Sequence, residues 1–423
     1  MTGTADTTRV MFVSSDGHAT ARMRDYRPYL EERWHESFDE FCELHDVHGS
    51  RNFDPPALRM RVEEKYVEEW IEQTAPDRLD GNWDPARRLK ECEQEGIIAE
   101  VIFPDFGLPW ELTSPVHASF LGVKPRTPEQ IDVGNRAYNR WLVDFCSYAP
   151  ERFAPMMAVR FHDIDAAVRE IEWGNSVGMK GVVLPVFEAE YPLFHAKYEP
   201  IWNLLEDLEM IANSHSGSSA VAPWQSLHGN LAHPQMALPM FQTIPFAREI
   251  MPQMIWSGVL ERHPRLKLVL TELQSSWVIE TLSRMDFTYE GSYLSHDIHD
   301  ILHLKPSEYY QRQVWLGSSI FSKAEIDARA DIGVDKMMLG ADYPHHEGTW
   351  GGGNLHYLQA TLGAAGISEP DARTMLGETA CDVFGFDRVA LQEVTDRAGL
   401  KITDVLTAPD VDRFPRGDVH RPL

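Results

Sequence analysis

Cysteine is scarce in this chain of 423 residues: Cys42, Cys92, Cys146 and Cys381 lie far apart, with no Cys-x-x-Cys pair. That spacing excludes a thiolate zinc knot and a disulfide framework, leaving reduced structural thiols. Basic residues are short as well, 39 Lys and Arg against 65 Asp and Glu, for a formal charge of −26. Such a surface repels phosphate backbones and anionic lipid, so no nucleic acid and no membrane is expected as a partner. No run of about 18 apolar residues occurs, which excludes a transmembrane helix. The N-terminus, Met1-Thr-Gly-Thr-Ala-Asp6, has neither the basic start nor the apolar stretch of a signal peptide. A cytoplasmic protein is the expectation.

What is present is core-forming material: 43% hydrophobic residues, including 12 Trp and 19 Phe. The first apolar run, Val10-Met-Phe-Val-Ser-Ser-Asp16-Gly17-His18, stops at an acid and a histidine two positions apart. Alternate residues of a strand face the same way, so Asp16 and His18 would project together from a strand end, as two ligands of one metal ion must. A single Asp-x-His match is weak evidence. Two further runs strengthen it, one ending at His215 and one, Lys336-Met-Met-Leu-Gly-Ala-Asp342, ending at Asp342.

Between these runs helix and strand patterns alternate. Asp84 as N-cap, Pro85 at the first helical position and Gly96 at the stop define one helix. Strands are expected at 97–103, 153–159, 181–185, the run ending at His215, 266–272, 314–317 and the run ending at Asp342. Helices are expected at about 128–148, 163–177, 198–208, 245–262, 276–287 and 323–332. With the first strand this makes eight β/α units, the count of a closed parallel (β/α)8 TIM barrel. Residues from about 20 to 82 form an inserted helical segment after strand 1, and 403–423, with Pro409, Pro415 and Pro422 among acids, an extended C-terminal tail; the barrel takes in 1–402. Barrel enzymes carry their catalytic groups at the C-terminal strand ends. Asp16, His18, His215, Glu272 and Asp342 all fall there, and buried charges are costly unless paired or metal-bound.

At these residues the sequence resembles the amidohydrolase superfamily, in the amidohydrolase 2 branch of aminocarboxymuconate semialdehyde decarboxylase-like enzymes. The segments that carry the resemblance are Asp16-Gly-His18, Gly178-Met-Lys-Gly-Val-Val-Leu-Pro185, Ser257-Gly-Val-Leu-Glu-Arg-His-Pro-Arg-Leu-Lys267, Gly340-Ala-Asp-Tyr-Pro-His345 and Leu376-Gly-Glu-Thr-Ala380. The resemblance implies Asp16, His18, His215 and Asp342 as metal ligands, with Asp16 standing where the branch more often has Glu or His. It also implies a sixth-strand histidine in the decarboxylases, and here that position is Glu272. Lys180 opens the fourth strand rather than ending it, which argues against a metal-bridging lysine.

Two carboxylates and two imidazoles suit Zn, Mn or Fe without choosing among them, so a divalent metal ion is expected. The leading expectation is a metal-dependent hydrolase of a small organic substrate: the metal activates water, Asp342 relays a proton, and Glu272 acts as base, orienter or ligand of a second metal. His345 or His346, directly after the last strand, would supply a proton or touch substrate. The alternatives are a non-oxidative decarboxylase, in which Glu272 delivers a proton only if burial raises its pKa, a dinuclear iron oxygenase of the same fold, and a non-catalytic metal-containing subunit. The resemblance further implies a homodimer, or a hetero-oligomer with a homologous subunit.

Overall fold

Capping residues set the helix starts where the sequence puts them. In the computed structural model, which describes residues 8–48, 59, 64–73, 78–105, 107–111, 126–186, 189–216, 244–291, 298–345, 348–349 and 351–409, Asp84 accepts from the Ala86 and Arg87 N–H groups at the start of Pro85–Gln94. Thr127 and Gln130 cap Pro128–Cys146 reciprocally, and Asp163 caps Ile164–Ser176. Each cap satisfies backbone donors that the first helical turn leaves unpaired.

The strands are β1 (Phe12–Ser14), β2 (Ile97–Ile102), β3 (Phe153–Ala158), β4 (Gly181–Val183), β5 (Ile211–His215), β6 (Lys267–Thr271), β7 (Val314–Ser318) and β8 (Met337–Leu339). They lie parallel in sequence order, each beside the next. The two edges meet through Ser15 N–H to Leu339 O (2.9 Å), Asp342 N–H to Asp16 O (3.1 Å) and His18 N–H to Tyr343 O (2.7 Å). The fold is therefore the expected (β/α)8 barrel. Its strands are buried along almost their whole length, because helices cover one face and the packed barrel interior the other.

Val13, Val101, Met156, Ile211, Val269 and Met338 belong to the cluster that also takes in Phe384 and Leu391 of the C-terminal helices. Lys267, the first residue of β6, donates to Val383 O at 3.1 Å. Those helices thus cover the N-terminal end of the barrel and leave the C-terminal end to the loops that carry the candidate residues. The expected insertion contains the helices His35–His48 and Glu64–Gln73 with shorter turns at Met23–Tyr29 and Arg78–Asn82. Tyr26 of the insertion packs on Trp141, ring centroids 5.8 Å apart. Ile402–Val405 is a helical turn with Val405 fully buried; residues 410–423 lie outside the described residues. Among the described residues no helix is long and apolar enough to cross a membrane.

Some boundaries differ from the sequence reading. The helix expected at 245–262 breaks at Gly258, which adopts φ 72° and separates Ile250–Trp256 from Val259–Arg262. The one expected at 323–332 divides into Lys323–Asp327 and Arg329–Ile332. β8 stops at Leu339, so Asp342 sits in the turn beyond it with φ 55°. Gly340 makes that departure possible, because a Cβ there would lie 2.4 Å from Asp16 Cβ and 3.1 Å from Asp16 N. Gly340→Ala is expected to cost about 1–3 kcal/mol, the usual penalty of overpacking. A denaturant midpoint unchanged from that of the unaltered chain contradicts this reading of the seam.

Candidate metal centre

His18 follows β1 and His215 ends β5, and both rings are turned by backbone carbonyls. His18 Nδ1 lies 3.1 Å from Pro104 O, and His215 Nδ1 lies 2.7 Å from Ser216 O. Each Nδ1 therefore holds the proton and donates it, which leaves Nε2 facing inward, the arrangement that orients metal-binding imidazoles. Between the two rings sits Asp16, its Oδ1 3.2 Å from His215 Nε2 and 3.6 Å from His18 Nε2. Ser319 Oγ donates to the other Asp16 oxygen and fixes the carboxylate plane. Asp342 Oδ1 approaches His18 Nε2 to 3.3 Å.

Asp16, His18, His215 and Glu272 each bring a ligand atom within 4.8 Å of the others. A second group, His18, Asp105 and His345, meets the same criterion. His345 stacks on His18 with centroids 4.3 Å apart, and its nitrogens lie 3.0 Å from Asp105 and 3.2 Å from Asp342. His18 Nε2 and both carboxylate oxygens of Asp342 are buried without a hydrogen-bond partner. Polar atoms left so are costly in a protein interior. Imidazole and carboxylate donors converging on one buried point fit a first-row divalent ion.

The charges act on one another strongly. Burial opposes charging His215, but the Asp16 and Glu272 carboxylates outweigh it and push the imidazole up to about 9. Burial would likewise raise Asp16, yet the neighbouring His215 and His18 hold it below its ordinary value. His345 is driven well above its ordinary value, against burial, by Asp342 and Asp105. Glu272 moves the other way: burial, then the Asp342 charge, push its carboxyl up to about 7. Its side chain is still 26% accessible, against 7% or less for Asp16, His18, His215 and Asp342, so screening by solvent tempers that shift. Ser216 Oγ donates to Glu272 Oε2. Glu272 and Asp342 both adopt left-handed backbone angles, φ 56° and 55°, a strain common at functional positions.

Asp16, His18, His215, Asp342 and Glu272, all singled out from the sequence, are thus gathered at one point. The four-donor group contains Glu272 where the resemblance put Asp342, although Asp342 touches His18 directly. His346 lies outside the described residues, while His345 is inside the cluster. His228 and His233, on the loop after His215, and Phe187, after the fourth strand, also lie outside the described residues. Trp110, after β2, packs edge-on against Trp34 and Phe38 of the insertion at 5.6 and 5.3 Å. Lys180 precedes β4, away from the C-terminal rim, as its position in the sequence implies. Asp105 went unnoticed in the sequence, although it follows β2 by three residues and the strand-end rule applied to it as well. Ser216 and Ser319, directly after β5 and β7 respectively, went unnoticed as well.

Comparison with known proteins adds to this geometry. A family model described as amidohydrolase matches residues 115–386. Among solved structures, 5-carboxyvanillate decarboxylase from Sphingomonas paucimobilis superposes with a TM-score of 0.62 at 17% identity, covering 89% of this chain and 100% of that one. An amidohydrolase from Mycobacterium avium subsp. paratuberculosis gives 0.63 at 20% identity, over 89% and 99%. A 5-carboxyvanillate decarboxylase from Novosphingobium aromaticivorans, complexed with manganese and 4-hydroxy-3-methoxy-5-nitrobenzoic acid, gives 0.61 at 16%, over 90% and 98%. At these identities the likeness to the solved structures is one of fold.

A metal that takes His215 as a ligand must displace its proton, held up to about 9. Affinity for Mn2+ should therefore rise with pH, about tenfold per unit below the His215 value. Calorimetric titration of metal-free protein from about pH 6 to about pH 9 measures this, and a flat profile contradicts it.

Proposed function

This chain belongs to the amidohydrolase family, and from that premise we propose that it is a metal-dependent, non-oxidative decarboxylase of a small aromatic or unsaturated carboxylic acid. Asp16, His18, His215 and Asp342 hold the divalent ion. When bound, the ion supplies Lewis acidity that neutralises the substrate carboxylate and a neighbouring oxygen. Glu272 delivers the proton that replaces the departing carboxyl group on carbon.

The observation that carries this reading is the position of Glu272 beside the donor cluster. In the metal-free site its carboxyl is pushed up to about 7 by burial and by the Asp342 charge. It is also far more accessible than the four ligands, so it faces the open end of the barrel where a substrate enters. The Ser216 hydroxyl fixes one of its oxygens and leaves the other free to carry the proton. A histidine is thus not the sole means of protonating carbon at this position. The decarboxylase names and the bound manganese of the solved structures support the same reading.

The sequence reading put hydrolysis first, and the product distinguishes the two. Carbon dioxide release from a panel of hydroxylated aromatic and unsaturated acids, with no hydrolysis product, is the expected result; hydrolysis without carbon dioxide overturns the proposal. Glu272→Gln is expected to retain the metal and to lower kcat by roughly 10²–10⁴-fold, the usual worth of a positioned acid. Loss of the metal in that variant makes Glu272 a ligand and removes it as the donor.

One observation favours a second reading. His18, Asp105 and His345 form a further donor group, the kind of set a second ion of an oxygenase needs. The close pairing of His345 with Asp105 and Asp342 gives that imidazole a structural role with one ion alone. One metal per chain supports the decarboxylase, and two per chain with oxygen consumption support the oxygenase.

A further inference from the structure

Arg88, on the helix Pro85–Gln94, is completely buried and lies behind the ligand segment rather than in the pocket. Its Nε donates to Glu100 Oε2 at 2.7 Å and its Nη2 to Glu100 Oε1 at 3.2 Å, a paired contact with a β2 carboxylate. The remaining donors go to main-chain oxygens: Nη1 to His18 O at 2.6 Å and Nη2 to Tyr343 O at 3.4 Å. The guanidinium carbon lies 4.7 Å from the centroid of the Tyr343 ring. One planar cation thus joins β2, the residue that ends Asp16-Gly-His18 and the residue next to Asp342.

Gly17 shows how closely the parts are fitted. A Cβ on Gly17 would stand 2.8 Å from Arg88 Nη2 and 2.9 Å from Glu100 Oε1. The peptide between the two ligands of the first segment therefore lies directly on the ion pair. The same contact spans the barrel seam, since His18 N–H donates to Tyr343 O while Arg88 donates to both carbonyls.

We propose that Arg88, held by Glu100, is a positioning residue that sets the spacing between the Asp16-Gly-His18 ligand pair and the Asp342 segment, and so tunes metal affinity without touching the metal. This rests on the reading of the cluster as a metal centre. Only a guanidinium has the planar fork of five donors needed to meet a carboxylate twice and two carbonyls at once; a lysine ammonium has three donors and no plane. Groups that orient metal ligands in this way change affinity by about 10–100-fold when removed.

Two variants of the full chain test the proposal. Arg88→Lys keeps a positive charge beside Glu100. The paired replacement of Arg88→Met with Glu100→Met keeps the space filled and leaves no stranded carboxylate. Circular dichroism confirms folding, and Mn2+ alone is titrated into metal-free protein, free ion being followed by electron paramagnetic resonance. Expected is a dissociation constant for Mn2+ raised about 10–100-fold, with altered spectral lines of the bound ion, in at least one folded variant. Unchanged affinity and unchanged lines in every variant that folds give Arg88 a purely structural role and overturn the proposal. Failure of the unaltered chain to bind Mn2+ overturns the metal reading and this proposal with it, and is distinct from unchanged affinity in the variants.

Discussion

The hydrogen bonds from Ser15 to Leu339, from Asp342 to Asp16 and from His18 to Tyr343 close the barrel between β1 and β8. Two of the three involve backbone atoms of residues whose side chains enter the cluster. Forming the closed sheet therefore sets Asp16, His18 and Asp342 at fixed spacing, whereas His215 arrives independently at the end of β5. The neighbouring pair β5–β6 is regular through five residue pairs and holds His215 beside Thr271, one residue before Glu272. Fold stability and site geometry draw on the same contacts, so a change that loosens the seam reaches the site even when it touches no ligand.

Such a cluster is expensive to keep dry. Asp16, Asp105 and Asp342 are buried, and attraction between carboxylates and imidazoles outweighs the desolvation of Asp16, His215 and His345. Protonation of His215 and His345 and the upward shift of Glu272 are the protein's own response to that field. A dication adds charge where the carboxylates converge and relieves the orphaned atoms of His18 and Asp342.

The architecture was legible because barrel periodicity is written in local signals. Asp84, Thr127 and Asp163 caps, Gly stops and short apolar runs recur with each unit, and the strands follow. The ligand candidates were legible because they end those runs. What escaped was three-dimensional. No local signal announces that a helix breaks at Gly258, or that β8 ends at Leu339 to let Asp342 turn inward. Nor does the sequence bring Asp105 to His345, 240 positions away, or place Arg88 behind His18, 70 positions away. Glu272 stood out from the start as a departure from the resembled pattern, but its protonation depends on burial and on Asp342, which only packing determines.

Barrel closure, a buried cluster of carboxylates and imidazoles, and one more accessible glutamic acid together lead to a single ion facing a single proton donor. The most direct measurement is anomalous diffraction at the manganese absorption edge from crystals of the full chain grown with Mn2+. One peak per chain, among the side chains of Asp16, His18, His215 and Asp342, is the predicted result. Absence of a peak there, or a second peak held by Asp105 and His345, contradicts the account.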